Sequence, residues 1–261
     1  MVLEGSRVLV LTLPMDLVGG VQSKARFLAG HLHRHGHHVT MASYAIRSLA
    51  RDINVGWLKS FFEEEWQLET HDLNREIRKI YVGRRFPGVE FTCTENSMSW
   101  RRVSKSYDRI IAVGGTPLIA HPAASIGKPF ILWCADDLNG DREARVNAMS
   151  RLRRIIDKAL VMPKLVQQQS LVLKAGMPLL GVSKYTTSRL NLHVKETNAD
   201  IRHMPIPIET DFFKPSASKQ RGAMGFAGRI SDSRKNAKLL FEAFKELRRR
   251  GVLNELHIAG P

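Results

Sequence analysis

Cysteine is scarce in this chain: Cys93 and Cys134 are the only two in 261 residues. Two thiols make neither a disulfide framework nor, alone, a four-ligand zinc site, and the plain reading is a pair of reduced thiols in the cytosol. Aromatic residues are few, at 7%, which weakens any function built on base stacking. No apolar run approaches the ~20 residues of a membrane-spanning helix. The N-terminus runs straight into a strand-like segment, without the basic-then-apolar layout of a signal peptide. The expectation is a soluble, cytoplasmic chain whose only membrane option is peripheral contact with the inner face. Acid is also in deficit, 25 Asp+Glu against 40 Lys+Arg, for a net charge of +15. The rest is ordinary, 43% hydrophobic and 25% charged, which excludes a disordered or low-complexity protein. A chain of this length can bury a core without covalent staples.

The apolar pattern alternates between strands and helices. Val8–Leu11 is a continuous run suited to a parallel strand buried on both faces. A loop ending in Gly19-Gly20 follows, then Val21, Ala25, Leu28 and Leu32 recur at helical spacing until Gly36. Val39–Tyr44 reads as the next strand, completing a βαβ unit. Further strands are expected at 77–82, 109–113, 130–134 and 179–182, with Ser183 placed to cap a helix over 184–192. Alternation of this kind implies an α/β fold, a doubly wound Rossmann-like parallel sheet.

The texture changes near residue 205. Met204–Ile208 is punctuated by proline and extended, and Pro215–Gln220 has linker composition. A fresh βαβ unit then begins, with a strand at 223–227, a helix carrying Ala237, Leu240, Phe244 and Leu247 on one face, and a strand at 256–259. The division expected is an N-terminal domain over 1–215 and, over 216–261, the first βαβ unit of a second Rossmann-like domain. One such unit is too small to enclose a core.

Four passages carry a family resemblance. They are Gly19-Gly20 with Gly36-His37-His38-Val39-Thr40; Leu180-Gly181-Val182-Ser183-Lys184-Tyr185; Pro205–Pro215, with Asp211-Phe212-Phe213-Lys214-Pro215 at its end; and Gly225-Phe226-Ala227-Gly228-Arg229-Ile230 with Lys235-Asn236. In this order they resemble a family 4 glycosyltransferase of the GT-B fold. The resemblance implies a retaining, metal-independent, hexosyltransferase-like enzyme. It would move a sugar from a nucleotide-diphosphate sugar, as co-substrate, to an acceptor hydroxyl in glycan or polysaccharide assembly. No cofactor or metal is implied. The positions of Arg229 and Lys235 match the pair that holds the donor diphosphate in the family, and Gly19 and Gly20 match its glycine loop. Chemistry suits both assignments. Glycine lets the backbone approach a phosphate or sugar closely, the helix start offers free N–H groups to an anion, and cations stabilise a diphosphate leaving group. Gly115 and Ser183, each just past a strand end, would line the cleft.

The chain departs from the family pattern at Trp133-Cys134-Ala135-Asp136-Asp137, where the family often carries a histidine. Asp136 and Asp137 are therefore candidate catalytic carboxylates, contacting an acceptor or donor hydroxyl. The alternative is an Asp N-cap for a helix beginning near Asp141 or Arg142. The Asp-Asp-x-x-x-Asp spacing also suits Mg²⁺, although such spacing arises readily at loop-to-helix junctions. His121 reads as structural. The family's Glu-x₇-Glu segment would fall beyond Pro261, so the expectation is a chain truncated within its donor domain and inactive or weak by itself.

Three other signals stand apart. His31, His33, His35, His37 and His38 cluster at a helix end, where histidine suits the dipole; His31 and His35 have metal-pair spacing. Arg151, Arg154 and Lys158 share one helical face, with Val146, Met149, Leu152 and Ile156 on the other. That pattern fits either solvated helix faces or attraction to an anionic membrane surface, useful for a lipid-linked acceptor. Trp57–Trp66 is apolar-rich and fits an interfacial or gating loop or a packed helix. The rival functions are a non-catalytic fragment and a basic nucleic-acid-binding or scaffold protein. Dispersed charge and few aromatics argue against nucleic acid.

Overall fold

The computed structural model describes residues 5–17, 19–46, 68–73, 76–86, 89–147, 149–194, 199–214, 223–228, 230 and 235–260. The Trp57–Trp66 stretch, the Pro215–Gln220 linker and Arg229 lie outside them. The chain divides into two compact units, residues 1–207 and 208–261.

In chain order the first unit contains β1 (Arg7–Thr12), α1 (Gly20–Arg34), β2 (His38–Tyr44), β3 (Leu68–Leu73), β4 (Ile77–Val82) and α2 (Met98–Lys105). There follow β5 (Arg109–Gly114), α3 (His121–Ala124), β6 (Ile131–Cys134), α4 (Leu138–Asn147), α5 (Arg151–Ile156), α6 (Met162–Lys174), β7 (Leu179–Gly181), α7 (Lys184–His193) and β8 (Ile201–His203). Among the described residues its eight strands form one sheet in the order β3-β4-β2-β1-β5-β6-β7-β8. Seven of them run parallel; β3 is antiparallel to β4, in register Leu68 to Val82 through Leu73 to Ile77. The doubly wound α/β sheet expected from the sequence is thus present, with an antiparallel edge added.

Period-two alternation places successive residues of the central strands on opposite faces. Leu9, Leu11, Ala42, Ile110, Ala112, Leu132 and Leu179 pack with Trp100, Val103, Val172, Leu173 and Leu190 on one face. Val8, Val10, Met41, Val113 and Trp133 meet Ala25 and Ala29 of α1 on the other. Each large apolar side chain buried in this way contributes roughly 1.5–3 kcal/mol, so the two layers fix β1 and β5 at the centre. Gly36 ends the first helical unit with φ +84, a conformation that glycine adopts without a steric penalty.

The second unit contains β9 (Ala223–Ala227), α8 (Ala237–Arg249) and β10 (Glu255–Ala259), with β9 and β10 parallel. None of its described residues is buried. The apolar stripe of α8 is therefore half-buried at best, as in Leu240, Phe244 and Leu247.

Candidate functional site

From β1 the chain crosses through α1 to β2 on one side, and β5 lies on the other side of β1. The order of the strands reverses between β1 and β5, and ligands of open α/β sheets bind beyond the carboxyl ends of the strands at such a point. Four loops emerge there or beside it among the described residues: 13–17 with Gly19 after β1, 115–116 after β5, 135–137 after β6 and 182–183 after β7.

The first loop is held from several directions. Lys79 Nζ donates to Asp16 Oδ1 at 2.6 Å, and the Tyr81 hydroxyl donates to Asp16 Oδ2. Arg26 donates to the Met15 carbonyl at 2.6 Å and Gln22 to that of Pro14 at 3.3 Å. Gly19 stands at the N-cap of α1 and contributes no capping side chain, so the leading N–H groups of the helix are left for an anion. A Cβ at Gly20 would meet nothing within 4 Å, and one at Gly19 would meet only the Gln22 amide end at 2.8 Å.

The end of β5 and the loop after it carry one tight and one open glycine. A Cβ on Gly114 would lie 2.5 Å from Ile119 Cγ2 and 2.9 Å from the Thr116 carbonyl, whereas one on Gly115 would meet nothing within 4 Å. The Gly115 carbonyl accepts from Asp136 N at 2.7 Å, tying the second loop to the third. The Ala135 carbonyl accepts from Thr186 Oγ1 at 2.7 Å, tying the third to α7. Ser183 caps α7, its Oγ accepting from Thr186 N at 3.1 Å. Gly19, Gly20, Gly115, Asp136 and Ser183 accordingly stand on adjoining loops at one edge of one sheet.

Asp136 and Asp137 occupy unlike environments. Asp137 is fully buried. Its Oδ1 accepts from Gly140 N at 3.0 Å, as the N-cap of α4, and its carboxylate pairs with Arg189 at 3.0 Å and His193 at 3.0 Å. Burial works against its ionisation, but hydrogen bonds from His193, the Gly140 N–H and Arg189 hold its carboxyl below the usual range. The capping role weighed for this pair is thus filled by Asp137, and α4 begins at Leu138, ahead of the expected Asp141. Asp136 is only half-buried and has no cation within salt-bridge distance among the described residues. Burial raises its carboxyl above the ordinary aspartate range, and the neighbouring Asp137 charge adds to the rise. Asp141, third in the spacing that suggested Mg²⁺, is paired with Arg145 at 2.5 Å.

Sequence reading missed Lys24 and Thr12. Lys24 lies one turn into α1 and is 2% exposed; its Nζ donates to the Trp133 carbonyl at 3.1 Å and sits 4.6 Å from the Trp133 ring centroid. Burial lowers its pKa to about 8. Thr12, the last residue of β1, is buried, and its Oγ1 has no hydrogen-bond partner among the described residues. A lysine on a helix and a threonine closing a strand carry no distinguishing signal in sequence. His121 is buried, with Nδ1 against the Thr94 carbonyl, and burial lowers its pKa. The rings of His31 and His35 lie with centroids 4.2 Å apart, tilted by 39°, and His35 Nδ1 contacts the His31 carbonyl. Among the described residues no three His, Cys, Asp or Glu side chains converge as metal ligands, and no helix is long and apolar enough to cross a membrane.

In the second unit the carboxyl ends of β9 and β10 are also lined by glycine. Gly228 N donates to the Ala259 carbonyl at 2.8 Å, and a Cβ on Gly260 would lie 2.3 Å from the Gly228 carbonyl. Lys235 is exposed, and its Cε lies 3.8 Å from where a Gly228 Cβ would be. Asn236, at φ +47, caps α8 through Oδ1 to Leu239 N at 3.3 Å. Lys235 therefore lies over a glycine strand end beside a helix start, while its expected partner Arg229 lies outside the described residues.

No protein-family model matches the chain, and no curated protein is similar to it in sequence. Solved structures do resemble it. The catalytic domain of starch synthase IV from Arabidopsis thaliana, bound to ADP and acarbose, matches with TM-score 0.53 at 13% identity, over 99% of this chain and 69% of that one. The α,α-trehalose 6-phosphate synthase from Burkholderia multivorans matches with TM-score 0.51 at 10% identity, over 99% of this chain and 66% of that one. At such identities the likeness shows the fold, which is that of GT-B glycosyltransferases.

Proposed function

We propose that this chain contributes to glycosyl transfer from a nucleotide-diphosphate sugar to an acceptor hydroxyl, in glycan or polysaccharide assembly. The observation that carries the reading is the edge of the sheet at the β1/β5 reversal, where Gly20 and Gly115 leave open space beside the uncapped start of α1. A sugar or phosphate needs that close backbone approach and those N–H donors. The fold supports the same reading, since one structural neighbour was solved with ADP and acarbose bound.

Within it, Asp136 is the carboxylate available to a sugar hydroxyl, because Asp137 is committed to Arg189, His193 and the start of α4. Its raised pKa keeps a proton closer to neutral pH than an ordinary aspartate would. Lys235, together with Arg229, neutralises the diphosphate of the donor; two cations serve a leaving group as a metal otherwise would. The transfer is of the retaining, metal-independent kind that the sequence resemblance implies. The open apolar stripe of α8 favours a donor-binding unit completed by further chain.

Thermal unfolding with ADP, UDP and GDP, then with nucleotide-diphosphate sugars, tests this. One nucleotide should stabilise the protein by about 2.7 kcal/mol at roughly 100-fold its Kd. Arg229→Ala/Lys235→Ala should remove the shift and leave the unliganded Tm unchanged. Indifference to every nucleotide and sugar in that panel overturns the reading.

A further inference from the structure

We propose that α5, with the π-helical segment Asp157–Val161 that continues it into α6, docks on an anionic lipid surface. Leu152, Ile155, Ile156, Ala159 and Leu160 fall at i, i+3, i+4, i+7 and i+8, the stripe that an amphipathic helix ordinarily turns toward its core. Here the stripe faces out. Leu152 is 70% exposed, Ile155 66%, Ile156 47% and Leu160 65%. The inward position beside the stripe is instead Asp157, and Leu165, Gln168 and Gln169 continue the buried side along α6. The helix is anchored on that side by a buried pair, Arg142 donating to Asp157, so the outward aim of the stripe is built into the packing.

Charge decides what would cover it. Arg151, Arg153, Arg154 and Lys158 flank the stripe and are exposed. The only acid between residues 151 and 174 is Asp157, which is turned inward and paired. The outward surface is therefore apolar with cations alone along its margins. A second copy of the chain meeting it about a two-fold axis would set these cations against each other, at a cost. Nucleic acid would gain no stacking, since the stripe has no aromatic ring. An interfacial helix needs leucine and isoleucine to enter the headgroup boundary and arginine and lysine to meet the phosphates beside them. This goes beyond the glycosyl-transfer reading and does not depend on it.

Co-sedimentation with vesicles tests the proposal. The protein should pellet with vesicles containing phosphatidylglycerol and stay in solution with pure phosphatidylcholine. Arg151→Gln/Arg154→Gln/Lys158→Gln should weaken partitioning by roughly a hundredfold, at about 1 kcal/mol per cation near the surface. Leu152→Ser/Ile155→Ser should weaken it by about tenfold or more. Both sets are exposed, so Tm should be unchanged. A Leu152→Trp variant gives an independent readout, a blue-shifted emission on anionic vesicles only. Equal binding to both vesicle types, no binding, or binding that survives both variants overturns the proposal. So does a concentration-dependent dimer abolished by Leu152→Ser/Ile155→Ser, which would give the face to a second copy.

Discussion

Lys79 and Asp16 are joined by a 2.6 Å ion pair that reaches from β4, across β2, to the loop after β1. Burial tends to raise the Asp16 carboxyl, but hydrogen bonds from Lys79 and Tyr81 outweigh it and hold the pKa below the usual range. A carboxylate depressed in the folded state contributes stability above its unfolded pKa of about 3.9 and loses that contribution as pH falls through the folded value. Asp16→Asn should therefore cost roughly 1–3 kcal/mol at pH 7, with the gap to wild type closing below about pH 4. Urea unfolding of both proteins at several pH values checks this, and a gap independent of pH would refute it.

The buried Lys24 should act in the opposite sense. Its folded pKa, lowered by burial to about 8, lies below the ordinary lysine value of 10.5. The unfolded chain binds more protons between these values, so the contribution of Lys24 to stability rises with pH across that window. Relative to Lys24→Met, the wild type should gain on the order of 3 kcal/mol from pH 7 to pH 11. Comparing the two proteins cancels the other groups that titrate there, and parallel stability curves would show that Lys24 is not desolvated.

Neighbouring glycines should respond differently to alanine. Gly114→Ala puts a methyl 2.5 Å from Ile119 and 2.9 Å from a carbonyl, so it should cost roughly 1–3 kcal/mol by overpacking. Gly115→Ala meets open space, so its Tm should stay close to wild type while ligand binding at the β1/β5 edge weakens. Thermal melts and nucleotide or acceptor titrations separate the two effects.

The two aspartates should divide similarly. Asp137→Ala removes a helix cap and strands Arg189 and His193 without their carboxylate, and should cost roughly 1–3 kcal/mol. Asp136→Asn should leave the Tm nearly unchanged and lower transfer activity. Activity retained in Asp136→Asn would remove Asp136 from the chemistry.

The central strands were legible because a strand buried on both faces must be apolar throughout, as Val8–Leu11 is. The edges were not. Leu-Glu-Thr-His-Asp-Leu in β3 and Ile-Arg-His in β8 carry no apolar run, and only the sheet order reveals them. Asp136 and Asp137 could not be told apart in sequence, since the difference depends on Arg189 and His193, which lie 52 and 56 residues from Asp137. The stripe of α5 shows a related limit. Periodicity identifies an apolar face but not the direction in which packing turns it.

The strands at the two ends of the sheet have a consequence for behaviour at high concentration. An edge strand offers unpaired backbone groups to any passing chain, and a long apolar edge would template intermolecular strand addition. Here one edge is a polar antiparallel strand and the other is three residues long, with exposed Arg202 and His203. Both are poor templates, so the apolar strands at the centre remain shielded from the self-association that fibres require.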